Sequence, residues 1–278
     1  MKIGTLLTLG LLGACAEVGQ GGDDGYEDES ILAIENGAAV RGAGPNQEWE
    51  GIVMTSQTMG RGYCSASFIT DRHLVSASHC YGADGPQRVG VRAPTLNGGT
   101  GWQVFERAVV KRAGTSIGND IAVVDLGAPQ AWATPERRFM LNASPGAAAQ
   151  LHLYGYGANT EAGAGVGTLR GAPLRATVAI TDSGRGYLFG TTGEARFCKG
   201  DSGGPALREG TAPVLWGINA SFVPTAARSR SDRQPVCAEV GSRLRFTSVA
   251  ANLAFIEQTL GKPCTRVEVD GLQTARCW

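Results

Sequence analysis

The sequence carries no excess of either charge. Lys and Arg number 25, Asp and Glu also number 25, and together they make up only 18% of the 278 residues. No basic block occurs, so a nucleic-acid partner held mainly through its phosphates is excluded. No cysteine pair has zinc-type spacing with histidine, so neither a metal nor another cofactor is expected. No G-X-Y period runs through the glycines, which excludes a collagen. Histidine is scarce at three residues, few enough for each to be weighed on its own. The apolar run near the start, residues 3–12, is about half what a membrane-spanning helix needs.

Glycine is abundant. It fills 41 of 278 positions, about twice the average of roughly 7%. Short β-type runs alternate with Gly, Asn, Pro and Asp turns: 51–54, 67–70, 73–76, 88–92, 102–112, 121–125, 151–156, 174–180, 214–219 and 243–247. The convincing helix is 248–260. There Val249, Leu253, Ile256 and Leu260 recur at helical spacing, and Gly261-Lys262-Pro263 stops it. Strands throughout with one late helix read as an all-β barrel or sandwich.

The first 33 residues read as processing rather than fold. Met1-Lys2, a short apolar stretch and small residues make an export signal over residues 1–14. Leu12-Gly13-Ala14-Cys15 resembles a bacterial lipobox, which predicts lipidation of Cys15 and attachment to a membrane. The alternative is an ordinary signal peptide that contains a cysteine. Residues 15–33 are Gly-rich and acidic, too poor in apolar side chains to pack, and read as a flexible pro-segment. Residues 34–278 are expected to form one compact unit. Its six cysteines, an even number in an exported chain, read as a disulfide framework with fifteen connectivities open.

Three segments carry chemistry. Cys198-Lys199-Gly200-Asp201-Ser202-Gly203-Gly204-Pro205 surrounds a serine with glycines, as a nucleophile on a tight, exposed turn requires. Such a serine needs a base. His79 follows the apolar strand 73–76 and precedes Cys80, a half-cystine that would fix its backbone. His73 and His152 lie within strands and read as structural. A base of this kind needs a carboxylate to set its tautomer. Asp120 precedes a buried-looking strand, and Asp125 at that strand's far end is the weaker candidate.

Taken together, in the order His, Asp, Ser, these segments resemble the chymotrypsin/trypsin family of serine endopeptidases. Ser76-Ala77-Ser78-His79-Cys80 is similar to T-A-A-H-C, Asp120-Ile121-Ala122-Val123-Val124 to D-I-A-L-L, and residues 200–205 match G-D-S-G-G-P. Cys64-Ser65-Ala66-Ser67-Phe68-Ile69 is similar to C-G-G-S-L-I, and Tyr154-Gly155-Tyr156-Gly157 to T-G-W-G. The resemblance covers about residues 34–260. It implies two six-stranded antiparallel β-barrels with a C-terminal α-helix and a site between them. It implies His79 as base, Asp120 as its orienting group, Ser202 as nucleophile, and the Gly200 and Ser202 amides as oxyanion hole. It supports the pairs Cys64–Cys80 and Cys198–Cys237. Cys264–Cys277 is then left to pin a C-terminal extension. It also implies a monomeric zymogen acting on protein or peptide substrates. Ile34-Glu35-Asn36-Gly37 resembles the family's mature start, so Ile34 would pair with Asp201 after cleavage by an activating protease. Ala33 precedes the cut, which suits an elastase-like activator better than a trypsin-like one. Loss of residues 15–33 would also free the enzyme from its anchor.

The specificity pocket departs from trypsin's. Arg196 stands where trypsin-like members carry Asp, and bulky Phe197 follows it. Ala220-Ser221-Phe222 replaces S-W-G, and Leu244 falls near a pocket-wall Gly. Cleavage after Lys or Arg is therefore not expected. Arg196 at a pocket floor would suit Asp or Glu; pointing to solvent, it would leave the pocket shallow. Phe222, Leu244 and Ala220 also keep open a second function, a catalytically weak binding or regulatory module on a protease scaffold.

Overall fold

The structure, a computed structural model, describes residues 38–40, 50–58, 62–92, 101–144, 150–160, 163–180, 186–191, 195–223, 236–239 and 242–278. A short strand, β1 (Ala38–Ala39), precedes the first half. That half comprises β2 (Ile52–Ser56), β3 (Tyr63–Phe68), β4 (His73–Ser76), β5 (Gly85–Arg92), β6 (Gln103–Arg112) and β7 (Ala122–Asp125). Pairing runs β2-β3-β4-β7-β6-β5 and returns from β5 to β2, closing a barrel. β8 (Met140–Asn142) follows it. The second half comprises β9 (Gln150–Gly155), β10 (Arg170–Ile180), β11 (Gly186–Thr191), β12 (Pro205–Arg208), β13 (Val214–Val223) and β14 (Arg243–Ser248). Here β9-β10-β11-β14-β13-β12 form a ring closed by β12 on β9. Helix α1 (Leu253–Leu260) and the hairpin β15 (Thr265–Val269) and β16 (Leu272–Arg276) end the chain.

Each barrel has its own apolar filling. Val53, Phe68, Leu74, Val91, Val110 and Val124 pack inside the first, and Leu153, Leu174, Trp216, Leu244 and Phe246 inside the second. A third cluster lies in the seam: Ile52, Met54, Val75, Val123, Tyr154, Tyr156, Ile218 and Ile256 belong to it. Residues 52 and 54 thus face the seam while 53 faces the barrel interior, so β2 is buried along its whole length. That double burial explains why the strand reads as a continuous apolar run. Each such side chain stabilises the fold by about 1.5–3 kcal/mol.

Several elements differ from the sequence expectation. The strand expected at 67–70 lies at Tyr63–Phe68. Thr70 Oγ1 accepts the amides of Arg72 (3.2 Å) and His73 (3.0 Å) and turns the chain before β4. The helix starts later than expected. Thr247 and Ser248 stay in the sheet, paired with Ile218 and Gly217, and a 3-10 turn at Ala250–Asn252 precedes α1. Gly261, at φ 69°, caps the helix in the left-handed region. The C-terminal extension is a β-hairpin. Its turn places Asp270 at φ 49° and Gly271 at φ 75°, the geometry that an Asp-Gly pair favours. β16 pairs with β8, and β8 runs parallel to β13, so the extension widens the second sheet. No helix among the described residues is long and apolar enough to cross a membrane.

Candidate active site

Ser202 stands on a turn held from three sides. Lys199 N donates to Val236 O and Ala238 N to Phe197 O, both at 2.7 Å, and a disulfide joins Cys198 to Cys237. Gly200 sits at φ 103°, where a side chain would also run into the Gly157 Cα. Gly203, at φ 82°, lies against Ser65 O and Ser76 Oγ of the first barrel. Ser65 N donates to Ser202 O at 2.7 Å, and Ser65 Oγ to Gly200 O at 2.9 Å. The turn is thus made of second-barrel residues but registered by the first. Among the described residues, neither the Gly200 nor the Ser202 amide donates to a protein group.

Asp201 points away from solvent. Its Oδ1 accepts Gly157 N and its Oδ2 accepts Cys198 N, each at 2.8 Å. The carboxyl is fully buried, which pushes it up to about 7; the two amides and the Arg170 charge pull the other way. Ile34, its expected partner, lies outside the described residues, as does Cys15.

His79 occupies a 3-10 turn, Ser78–Cys80, directly after β4. Asp120 grips it at two points. Oδ1 accepts the His79 backbone amide at 2.9 Å, and Oδ2 lies 2.6 Å from Nδ1. This fixes the ring with Nδ1–H on the carboxylate and Nε2 turned outward. Asp120 is buried and its carbonyl accepts Thr247 Oγ1 of the second barrel at 3.1 Å. Cys80 is joined to Cys64, and its Sγ lies 3.9 Å from Ser202 O. Ser202 and His79 are therefore neighbours across the seam. No hydrogen bond joins Ser202 Oγ to His79 among the described residues, as is common in resting sites whose bonds tighten on substrate.

The sulfurs of Cys64 and Cys80 lie within 4.8 Å of one His79 ring nitrogen. They are bonded to each other and offer no thiolate to a metal. The third disulfide, Cys264–Cys277, ties α1's exit to the chain end. His73 is buried: Nδ1 lies 2.8 Å from Thr70 Oγ1 and Nε2 3.5 Å from Asp125 Oδ2. Asp125 also accepts Arg72 at 3.1 Å. This carboxylate serves His73 rather than His79. Burial pushes His73 down from its ordinary value, against the pull of Asp125. His152 faces Glu209 at 3.1 Å.

In the region expected to form the specificity pocket, Phe197, Leu244 and Phe246 are buried together. The Phe222 ring meets Phe197 edge-on at 6.5 Å between centroids. Arg196 is partly buried, Ala220 buried and Ser221 partly exposed. Ser65, Thr247 and Asn219, whose Nδ2 donates to the Asp201 carbonyl at 3.2 Å, support the site without having been singled out by the sequence. They are small polar residues in apolar strands, a signal too common to mark them.

A family model described as Trypsin matches residues 41–237. A curated relative named Trypsin, from Xenopus laevis, is 27% identical over 185 residues, spanning 61% of this chain and 76% of that protein.

Proposed function

Because the chain belongs to the trypsin family of serine proteases, we propose that it is an exported endopeptidase that cleaves peptide bonds through an acyl-enzyme on Ser202. The observation that carries this reading is the two-point grip of Asp120 on His79 beside Ser202. In this mechanism His79 Nε2 takes the Ser202 proton as Oγ attacks the peptide carbonyl. The ring then holds two protons, and Asp120 stabilises that charge. The carbonyl oxygen, now an oxyanion, settles on the Gly200 and Ser202 amides. One such donor is typically worth roughly 2.7–4 kcal/mol. His79 passes its proton to the leaving amine. Water, deprotonated by the same nitrogen, releases the acid product.

The strands around Asp201 support an activation step of the kind proposed. Ala38 and Ala39 pair with Gly171 and Arg170 on β10, and Arg170 pairs with Gly155, on which Asp201 rests. Ile34 is four residues upstream of Ala38, a reach of at most about 14 Å. Cleavage after Ala33 would bring its ammonium within range of Asp201. Three disulfides fit an oxidising compartment. Lipidation of Cys15 would hold the precursor at a membrane until residues 15–33 are lost. Phe197, Phe222 and Leu244 narrow the pocket, and Arg196 favours an acidic residue before the cut over Lys or Arg.

The test is labelling by a fluorophosphonate of protein trimmed to begin at Ile34. Labelling at Ser202, absent in Ser202→Ala, is the expected result, followed by peptide-library profiling with a preference for Asp or Glu. A trimmed, folded protein that does not label would favour the module reading, which the crowding by Phe222 and Leu244 supports.

A further inference from the structure

We infer that Arg170 is a second, built-in cation for Asp201, so that the uncleaved chain keeps part of its oxyanion hole and is an enzyme of reduced rate rather than an inert precursor. The inference rests on the triad reading given above.

Arg170 lies directly opposite Gly155 in the β9–β10 ladder. Residues directly opposite in an antiparallel pair send their side chains to the same face. A side chain on Gly155 would overlap Asp201 Oδ1. Arg170 therefore leaves β10 on the face where the Asp201 carboxylate rests. Both groups are nearly inaccessible, Arg170 at 4% and Asp201 at 0%. A buried cation and a buried anion each carry a large desolvation cost unless charge is balanced nearby. Burial opposes both charges, and the charge of each group partly offsets the cost of the other.

The rest of the surroundings of Asp201 is neutral. The turn after β9 offers the Gly157 amide, the 196–200 segment offers the Cys198 amide, and β13 offers the Asn219 amide group to the Asp201 carbonyl. Cys198 is in a disulfide and does not titrate. Among the described residues, Arg170 is the one charged side chain acting on the carboxylate. An inward, ionised Asp201 holds the turn that carries the Gly200 and Ser202 amides. A freed N-terminus adds a cation to this arrangement; Arg170 is already part of the sheet. The Arg170 Nη1 reaches Gly165 O at 3.4 Å, which keeps its head on the same side of the strand as the glycine-rich 163–167 turn.

The experiment compares fluorophosphonate labelling rates of the full-length precursor and the form trimmed to Ile34, each as wild type, Arg170→Gln and Arg170→Lys. Mass spectrometry of the labelled precursor verifies that it is uncut. The expected result is slow but measurable labelling of the precursor, lowered about tenfold by Arg170→Gln, the effect of moving the Asp201 equilibrium by about one pH unit. Arg170→Lys restores it. In the trimmed form the ammonium shares the task, and Arg170→Gln costs about threefold or less. The acid limb of the precursor's pH–rate profile moves to higher pH in Arg170→Gln, which a purely structural role would not cause. If Arg170→Gln does not fold, Arg170→Met provides the neutral variant. Labelling of the trimmed wild type with none in the precursor overturns this inference while the triad reading stands. An equal loss in both forms, or no loss in the precursor, also overturns it. Failure of the trimmed wild type to label removes the triad reading itself.

Discussion

Asp201 should make the uncleaved chain less stable as pH rises, the reverse of the usual carboxylate. Burial pushes its carboxyl from the ordinary 3.8 to about 7. Between those values the folded chain holds a proton that the unfolded chain has released. Each pH unit in that window therefore removes about 1.4 kcal/mol of stability. The contribution is fully present below 3.8 and gone above about 7. From about pH 4.5 to about pH 8 the loss is about 3 kcal/mol, an upper figure because water entry would relax the buried charge. His73 works in the other direction. Its value is pushed below 6.5, so its contribution rises as pH climbs through that value. A bare profile mixes the two groups, and Asp201→Asn separates them. Urea unfolding of precursor and Asp201→Asn at the two pH values is the assay. The wild type should lose about 3 kcal/mol more than the variant across the window. In protein trimmed to Ile34 the proposed ammonium pairing would bring the carboxyl down, and the difference should vanish. Parallel profiles for wild-type and Asp201→Asn precursors would refute the reasoning.

Three further outcomes follow from the site and its supports. Asp120→Asn should leave the fold intact and lower kcat roughly ten-thousand-fold, a magnitude carried over from triads of this family rather than worked from these distances; burst kinetics on an ester substrate measures it. Gly155→Ala would press a methyl group on Asp201 Oδ1; it should cost about 2–3 kcal/mol in urea unfolding through a lost charge-assisted hydrogen bond and slow labelling of Ser202, whereas Gly82→Ala, which meets nothing within 4 Å, should be silent in both. Replacing Cys264 and Cys277 by Ser opens a link across 13 residues and should cost about 3 kcal/mol of stability with little change in labelling rate.

The candidate site is legible in the sequence because its chemistry sits in contiguous motifs. Glycines flank Ser202, a half-cystine follows His79, and an apolar strand follows Asp120, so each segment carried its own local signal. Residues that act across the seam had none. Thr247 reaches Asp120 over 127 positions, and Ser65 reaches Gly200 over 135. Such contacts are created by docking, not by spacing. Arg170 was hidden for the same reason, since its meaning comes from the residue opposite it in β9. Strand β12, Pro205–Arg208, begins at the proline that closes the Ser202 motif, so no turn signal sets it apart as a separate run. The C-terminal hairpin has a local signal on which no sequence expectation rests, Asp270-Gly271 between two short runs. In the 248–260 segment the helical spacing matches α1 from Leu253 onward, whereas Ser248 pairs with Gly217 in the sheet and Ala250–Asn252 form a 3-10 turn.

The division of labour between the barrels has a practical meaning. His79 and Asp120 come from one body and Ser202 from the other, joined by Ser65, Thr247 and the Asn252 amide, which donates to Gly118 O at 3.0 Å. Each barrel keeps its own filling and has reason to persist when the two slip apart. Turnover by the proposed triad, however, would depend on an alignment of atoms across the joint. Catalysis is thus a strain gauge for the boundary between the halves. It should fade at the first loosening, while circular dichroism still reports an intact complement of strands.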